Sequence, residues 1–316
     1  MPTPSQMSQD PASSQAQSTQ TRSSQTRSSQ TQSSSALSSP YQASLQQHYA
    51  PAQLIEHLRE TLIAEGLNPE QLTPDDTAAI DQLHLGGRHA SRQLAQWGDI
   101  QQEQQVLDIG CGPGGASRLL AAELGCQVIG VDLTPRFIEM AQWLNKATGL
   151  DDKVSCLTAD ACQLPLADQS VDVIWSQHTL MNIENQPRLM HEIRRVCKPQ
   201  GRLLLHEIVQ GDNPEPLLLP VPWAREPAHS HLMTLDTLST QLEAHHWQIN
   251  AIEDISENAL QWRQKHLERE SRGQPTILTP QLIFGPDFTS MTHNLIHNLQ
   301  SDRIRIIALH AQLGEA

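Results

Sequence analysis

The chain has 316 residues, with 35 acidic against 21 basic side chains and a formal net charge of −14. That balance disfavours a phosphate backbone as a partner, so nucleic-acid binding is not expected. No apolar run approaches the roughly 18 residues a membrane-spanning helix needs, and the five cysteines (Cys111, Cys126, Cys156, Cys162, Cys197) are odd in number and lack C-x-x-C spacing. They read as reduced thiols, the usage of a cytoplasmic protein.

Residues 1–40 are mostly Ser, Gln and Thr, with a near-repeat at Thr21–Gln25 and Thr26–Gln30. Such a segment buries too little apolar area to offset its ordering entropy, so residues 1–45 are expected to form a disordered tail. It has no apolar core of a secretory signal. Its Ser-rich, acid-poor composition faintly suggests an organelle transit peptide, and a solvated tail is the preferred reading. Leu54, Ile55, Leu58, Leu62 and Ile63 fall at helical spacing, predicting a helix over 52–66 that Gly66 ends. A second helix is predicted over about 74–98, interrupted near Gly86-Gly87.

Val106-Leu107-Asp108-Ile109 then reads as a short buried strand. Gly110-Cys111-Gly112-Pro113-Gly114-Gly115 makes a tight turn, and Ala116–Leu124 begins a helix. A strand, a glycine turn and a helix N-terminus form a corner that cradles a nucleotide, because a bare backbone approaches a ligand closely. Gly110, Gly112 and Gly115 satisfy G-x-G-x-x-G, which also admits a dinucleotide. Asp108 argues against NAD: beside a pyrophosphate, two like charges about 4 Å apart repel by roughly 4 kcal/mol at an effective dielectric near 20. S-adenosylmethionine has no phosphate and carries a sulfonium and an ammonium group, which suit an acid there.

Gln127–Asp132 reads as the next parallel strand, its terminal Asp132 suited to accept from both ribose hydroxyls. Val154–Ala161 runs into a turn whose Asp160 suits an adenine amino group. Ser170–Ser176 gives a fourth strand. Beyond it, Arg188–Lys198 is read as a helix and Arg202–Val209 as a fifth strand. Gln210–His231 is a Pro-rich loop, Leu235–His246 a helix and Trp247–Ile255 a sixth strand. A polar helix over Ala259–Ser271, a loop and helix over Gly285–Gln300 and an antiparallel seventh strand at Arg303–Leu309 complete the chain. Alternating strands and helices from 104 to 209 require right-handed crossovers and a parallel sheet, with ligands outside the C-terminal strand ends.

The four successive motifs Val106–Gly115, Val128–Pro135, Thr158–Pro165 and Val171–Ile183, followed by Arg188–Val209, resemble the class I S-adenosylmethionine-dependent methyltransferases over roughly residues 85–255. Trp175–Ile183, Pro220–Pro227 and Asp81–Arg88 are further similar to bacterial enzymes assigned as sarcosine/dimethylglycine N-methyltransferases. The resemblance implies an α/β, Rossmann-like seven-stranded sheet with N-terminal helices and a C-terminal helical cover. The methyltransferase domain would span 46–316, with its core at 85–255, a substrate loop at 210–232 and a cover at 256–300. It implies S-adenosyl-L-methionine as cofactor, held by Asp108, Gly110, Gly112, Asp132, Leu133, Asp160, Ala161 and Gln177. The expected partner is a small-molecule methyl acceptor, an amine such as sarcosine or dimethylglycine. Two alternatives stay open: O- or C-methylation of a larger quinone- or polyketide-like acceptor, and a non-catalytic S-adenosylmethionine-binding module.

On the acceptor side, His178 follows the fourth strand and is the first candidate for a base or hydrogen-bond partner, with a structural histidine as the alternative. Met181 and Asn182 are expected at the pocket. His206 lies mid-strand, a core histidine or a functional one, and Glu207 points to the opposite face. Trp223 suits a developing cation by about 1–2 kcal/mol. Arg225 suits a carboxylate through a bidentate pair, unless it pairs with Glu226 or Glu215; Arg88 is a rival anchor. His229, His231, His245 and His246 lack a fitting ligand set, and no metal is expected.

Overall fold

The computed structural model describes residues 53–271 and 278–314, so the tail predicted at 1–45 lies outside the described residues. Helix α1 (Leu54–Ala64) buries Leu54, Leu58 and Leu62, one every turn, as the spacing predicts. Helix α2 (Pro74–Asp81) starts with a capping box: Thr73 Oγ1 accepts from the Asp76 N–H, and Asp76 accepts from the Thr73 N–H at 2.7 Å. The predicted 74–98 helix is two helices. The chain leaves α2 at Gln82, runs irregularly to Gly86 (φ 86°), and re-enters α3 at Gly87–Gly98. The break therefore begins before the glycines, which mark the re-entry. Its physical cause is Asp81, whose carboxylate accepts from Thr77 Oγ1 and from Arg118 Nη2, both at 2.7 Å, and fixes the end of α2.

The sheet is built from β1 (Gln105–Ile109), β2 (Gln127–Asp132), β3 (Val154–Thr158), β4 (Val171–Gln177), β5 (Cys197–Gln210), β6 (Trp247–Asp254) and β7 (Ile304–Leu313). Their order is β3-β2-β1-β4-β5-β7-β6. All neighbours run parallel except β7, which is antiparallel to both β5 and β6. This is the expected α/β, Rossmann-like arrangement. After β3 the chain returns to the other side of β1, so the strand order reverses between β1 and β4 and opens a crevice at their C-terminal ends.

Helices α4 (Gly115–Leu124), α5 (Pro135–Ala147), α6 (Gln186–Val196) and α7 (Leu235–Ala244) connect the strands. Helix α6 ends at Val196 and β5 begins at once, two residues earlier than the predicted helix end. One apolar cluster joins Leu107, Ile174, Leu189, Ile193 and Trp247; a second joins Val106, Leu120, Val128, Trp175 and Leu204. Each fully buried Leu or Ile contributes roughly 1.5–3 kcal/mol. Between β6 and β7 lie α8 (Ser256–Ser271), α9 (Gln281–Phe284) and α10 (Phe288–Gln300). Among the described residues no helix is long and apolar enough to cross a membrane.

Candidate active site

A cavity of about 370 Å³ lies at the strand-order reversal. One wall is made by the tips of β1, β2 and β3, which contribute Asp108, Asp132 and Asp160. Asp132 is fixed by backbone donors: Thr134 N–H at 2.8 Å on one oxygen and Gly112 N–H at 2.9 Å on the other. Burial pushes its carboxyl above the usual carboxylate range. Asp160 accepts from the Cys162 N–H at 2.8 Å. Asp108 is 2 % exposed, accepts from Ser117 Oγ at 2.6 Å and is pushed up to about 7, chiefly by burial and further by Asp132. It is therefore not the fixed negative charge that the sequence suggested, and its repulsion of a pyrophosphate is correspondingly weaker.

The glycine turn serves two neighbours at once. Gly110 (φ 71°) has no room for a Cβ, which would lie 2.0 Å from Thr179 Oγ1. A Cβ on Gly115 would lie 2.2 Å from the Asp81 carbonyl oxygen. The last glycine of the motif thus admits the end of α2. At Gly112 (φ 51°) a Cβ would meet only Leu83 and Phe137, both at 4.0 Å, so a side chain there would occupy the cavity itself. Three acids and an open glycine fit the sulfonium, ammonium, ribose and adenine groups of S-adenosylmethionine. Leu133 and Ala161 also line this wall.

The second wall begins at the end of β4. His178 lines the cavity with φ 51°, a conformation that costs a non-glycine residue of order 1 kcal/mol or more and needs support from its surroundings. Glu207 supplies that support from β5. Its carboxylate accepts from Ser176 Oγ at 2.7 Å, Thr179 N–H at 2.9 Å and Leu180 N–H at 3.2 Å. Burial pushes Glu207 up to about 7. The His178 ring stacks on His206 at 4.9 Å, with His84 at 6.0 Å from His178 and 5.5 Å from His206. Burial holds all three uncharged: His84 falls to about 4, His206 to about 3 and His178 well below the usual value. The His178 Nε2 and Gln177 Nε2 are buried without a hydrogen-bond partner. Gln177 Oε1 accepts from Ser91 Oγ at 3.0 Å and Trp175 Nε1 at 3.2 Å.

The remaining walls come from outside the sheet. Asn182 Nδ2 donates to the carbonyls of Trp223 (2.9 Å) and His229 (3.0 Å), tying the Pro-rich loop to the end of β4. Trp223 is 2 % exposed, lines the cavity and donates from Nε1 to Ser230 Oγ at 3.0 Å. Met181 is buried beside it. Helices α8 and α10 add Trp262, Arg263, Phe288, Thr292 and Leu295.

The structure brings most predicted residues together: Asp108, Gly110, Gly112, Asp132, Leu133, Asp160, Ala161, Gln177, His178, Met181 and Trp223 all line one cavity. It does not bring in Arg225 or Arg88. Arg225 pairs with Asp287 on the surface, because the turn between Val221 and Ala224 sends the side chains of Trp223 and Arg225 in different directions. The predicted partners Glu226 and Glu215 are not the ones it takes. Arg88 pairs with Asp75 and Glu123, away from the cavity. Sequence reasoning missed His84, Trp262 and Arg263. His84 lies in the Asp81–Arg88 motif but was not singled out there, whereas the polar helix around Trp262 and Arg263 gives no sign of facing inward. His206 and Glu207 lie behind the cavity wall, on opposite faces of β5 as expected, and neither lines it.

Residues 107–205 match the family model of the methyltransferase domain. That stretch runs from β1 into β5 and carries the three strand-tip acids and the glycine turn. Residues 107–205 are thus similar to a methyltransferase domain. It is 36% identical over 134 residues to a methyltransferase of Streptomyces halstedii, covering 42% of this chain and 48% of that protein. To a sarcosine/dimethylglycine N-methyltransferase of Halorhodospira halochloris it is 31% identical over 120 residues, 38% of this chain and 43% of the other. The chain thus spans about half the length of these curated relatives. Among solved structures, phosphoethanolamine N-methyltransferase 2 of Haemonchus contortus superposes with a TM-score of 0.64 at 22% identity, covering 74% of this chain and 55% of that one. At that identity the likeness concerns the fold.

Proposed function

We propose that this chain transfers the methyl group of S-adenosylmethionine to a small amine such as sarcosine or dimethylglycine. The observation that carries the reading is the composition of the acceptor half of the cavity. Two tryptophans, Trp223 and Trp262, and the uncharged His84 and His178 line the same cavity as the strand-tip acids. An amine gains positive charge as it is methylated, and an indole face stabilises that charge by about 1–2 kcal/mol. Uncharged histidines add no repulsion beside it.

When bound, the cofactor supplies a methyl group already activated by the sulfonium. The residues of this chain then hold, orient and keep dry. Asp132 takes the ribose hydroxyls, Asp160 the adenine amino group and Asp108 the ammonium, with Gly110, Gly112, Leu133 and Ala161 shaping the cradle and Gln177 closing it. His178 offers its unpartnered Nε2 to the acceptor as a hydrogen-bond partner. Its lowered basicity suits it to orienting a neutral amine more than to carrying a proton away. Met181 and Trp223 complete the seat, and the segments at 210–232 and 256–300 act as substrate loop and cover of a domain spanning 46–316. The five cysteines stand as free thiols, which fits a reducing, cytoplasmic setting.

The test is release of S-adenosylhomocysteine by the purified protein with glycine, sarcosine or dimethylglycine, against a control without acceptor. Turnover at least tenfold above the control on one of them is expected. No turnover while S-adenosylmethionine still binds would overturn the amine reading. It would favour a second reading, O- or C-methylation of a larger apolar acceptor, which Leu83, Leu85, Ile208, Phe284, Phe288 and Leu295 around the cavity support.

A further inference from the structure

We propose that Glu207 is a positioning residue for the methyl acceptor, acting through the turn that presents His178 and not through the cofactor cradle. The proposal rests on the amine reading above, in which His178 meets the acceptor. Two successive residues of β5 hold three successive backbone N–H groups beyond β4. The His206 carbonyl accepts from the His178 N–H at 2.9 Å. The Glu207 carboxylate accepts from the next two, Thr179 N–H at 2.9 Å and Leu180 N–H at 3.2 Å, and from Ser176 Oγ at 2.7 Å. His178, at φ 51°, lies between these fixed points. A turn released to an ordinary negative φ would swing the Cα–Cβ bond of His178 and take its ring off the stack with His206, now at 4.9 Å.

The Glu207 carboxylate matches these donors. It is 0 % exposed, so bulk water does not reach its oxygens, and both are used. Ser176 Oγ and Thr179 N–H meet Oε1, while Thr179 and Leu180 N–H meet Oε2. An apolar side chain here would leave buried backbone N–H groups without acceptors, which a turn escapes only by changing conformation. A glutamine would keep one oxygen for both backbone N–H groups and turn its NH2 to the Ser176 hydroxyl, which can also accept. The same turn touches the cofactor side through Thr179, whose Oγ1 donates to the Ile109 carbonyl at 3.2 Å and fills the space over Gly110. That side chain has a partner of its own, whereas the His178 Nε2 is unpartnered, so the backbone sets where the ring points.

Steady-state methyl transfer by the full chain, with calorimetric binding of S-adenosylhomocysteine, tests this. Glu207→Met, close in size but without an acceptor oxygen, should lower kcat at least tenfold and leave S-adenosylhomocysteine affinity within threefold. Glu207→Gln should keep at least a third of the wild-type kcat. His178→Ala should lower kcat at least tenfold as well, and adding Glu207→Met to it should cost no more than a further twofold. Losses that multiply in the double variant, an unchanged kcat in Glu207→Met or His178→Ala, or a kcat in Glu207→Gln as low as in Glu207→Met overturns the proposal. A tenfold loss of S-adenosylhomocysteine affinity in Glu207→Met does so too, since it places the effect in the cradle. If Glu207→Met does not fold, Glu207→Asp, which draws both oxygens back by one methylene, stands in its place under the same criteria. One readout needs no turnover: the proton–carbon NMR signal of the His178 ring in the chain saturated with S-adenosylhomocysteine, assigned by its loss in His178→Ala. It should move further in Glu207→Met than in Glu207→Gln. A signal unmoved in Glu207→Met overturns the proposal whether or not an amine is methylated. A signal that moves as expected, without transfer to glycine, sarcosine or dimethylglycine, sinks only the amine reading.

Discussion

The two halves of the cavity are built by different means. On the cofactor side, each acid lies within two residues of a strand end and is held by bonds from the segment that follows its strand or from the glycine turn: Asp132 by Thr134 and Gly112, Asp160 by Cys162, Asp108 by Ser117. On the acceptor side, the walls come from separate parts of the chain: the Gln82–Leu85 break, the Trp223 loop and helices α8 and α10. They are joined by long-range bonds such as those from Asn182 to Trp223 and His229. The first half is fixed by short local sequence, and the second by tertiary packing. A fold of this kind can keep its cofactor while its acceptor changes.

The sharpest way to break the comparison is at Asp132. Two hydrogen bonds to a charged acceptor are worth about 1.5–3 kcal/mol each, so Asp132→Ala should weaken S-adenosylmethionine binding by at least about 100-fold. Isothermal titration checks this, and an unchanged affinity would remove Asp132 from the cofactor site. A smaller effect is expected from pH. Asp108 titrates near 7 because burial raises it, and the cofactor's ammonium favours the ionised carboxylate. Below 7 the acid must release a proton for the cofactor to bind, so affinity falls as pH falls. Between pH 7.5 and pH 6 the loss should be about tenfold, the proton-linked change for one group. Titration in buffers of different ionisation enthalpy would register the released proton; equal affinity at both pH values would place the ammonium elsewhere. The smallest effect belongs to Arg225→Ala. Its partner Asp287 is exposed, and such surface pairs are worth about 0.2–1 kcal/mol. The KM for the acceptor should therefore stay within about twofold, and a large rise would return Arg225 to the site.

The same contrast explains what was legible in the sequence. Asp108, Asp132 and Asp160 were legible because each lies at or just beside the C-terminal end of a recognisable strand, and strand order then fixes where those ends meet. The interruption near Gly86-Gly87 was legible from the glycines, but its extent back to Gln82 was not, since Gln82–Leu85 has no local breaker and Arg118 holds Asp81 at the end of α2. Arg225 was misread because it is two residues from Trp223 in sequence, yet the turn at Val221–Ala224 parts their side chains. Arg263 left no trace in its own segment. Whether that polar helix turns it inward depends on packing against α10, some 29 residues further along the chain.

The contact between Gly115 and the Asp81 carbonyl has a consequence for how such proteins diverge. Because backbone from α2 fills the space a side chain would need, any residue larger than glycine there would displace the N-terminal helices before it disturbed the cofactor cradle. A loss of cofactor affinity from such a change would be an indirect one, transmitted through a segment some 30 residues upstream. The glycine motif and the segment over it are therefore sterically coupled. A grafted N-terminal segment that left this space open would remove the constraint on the glycine.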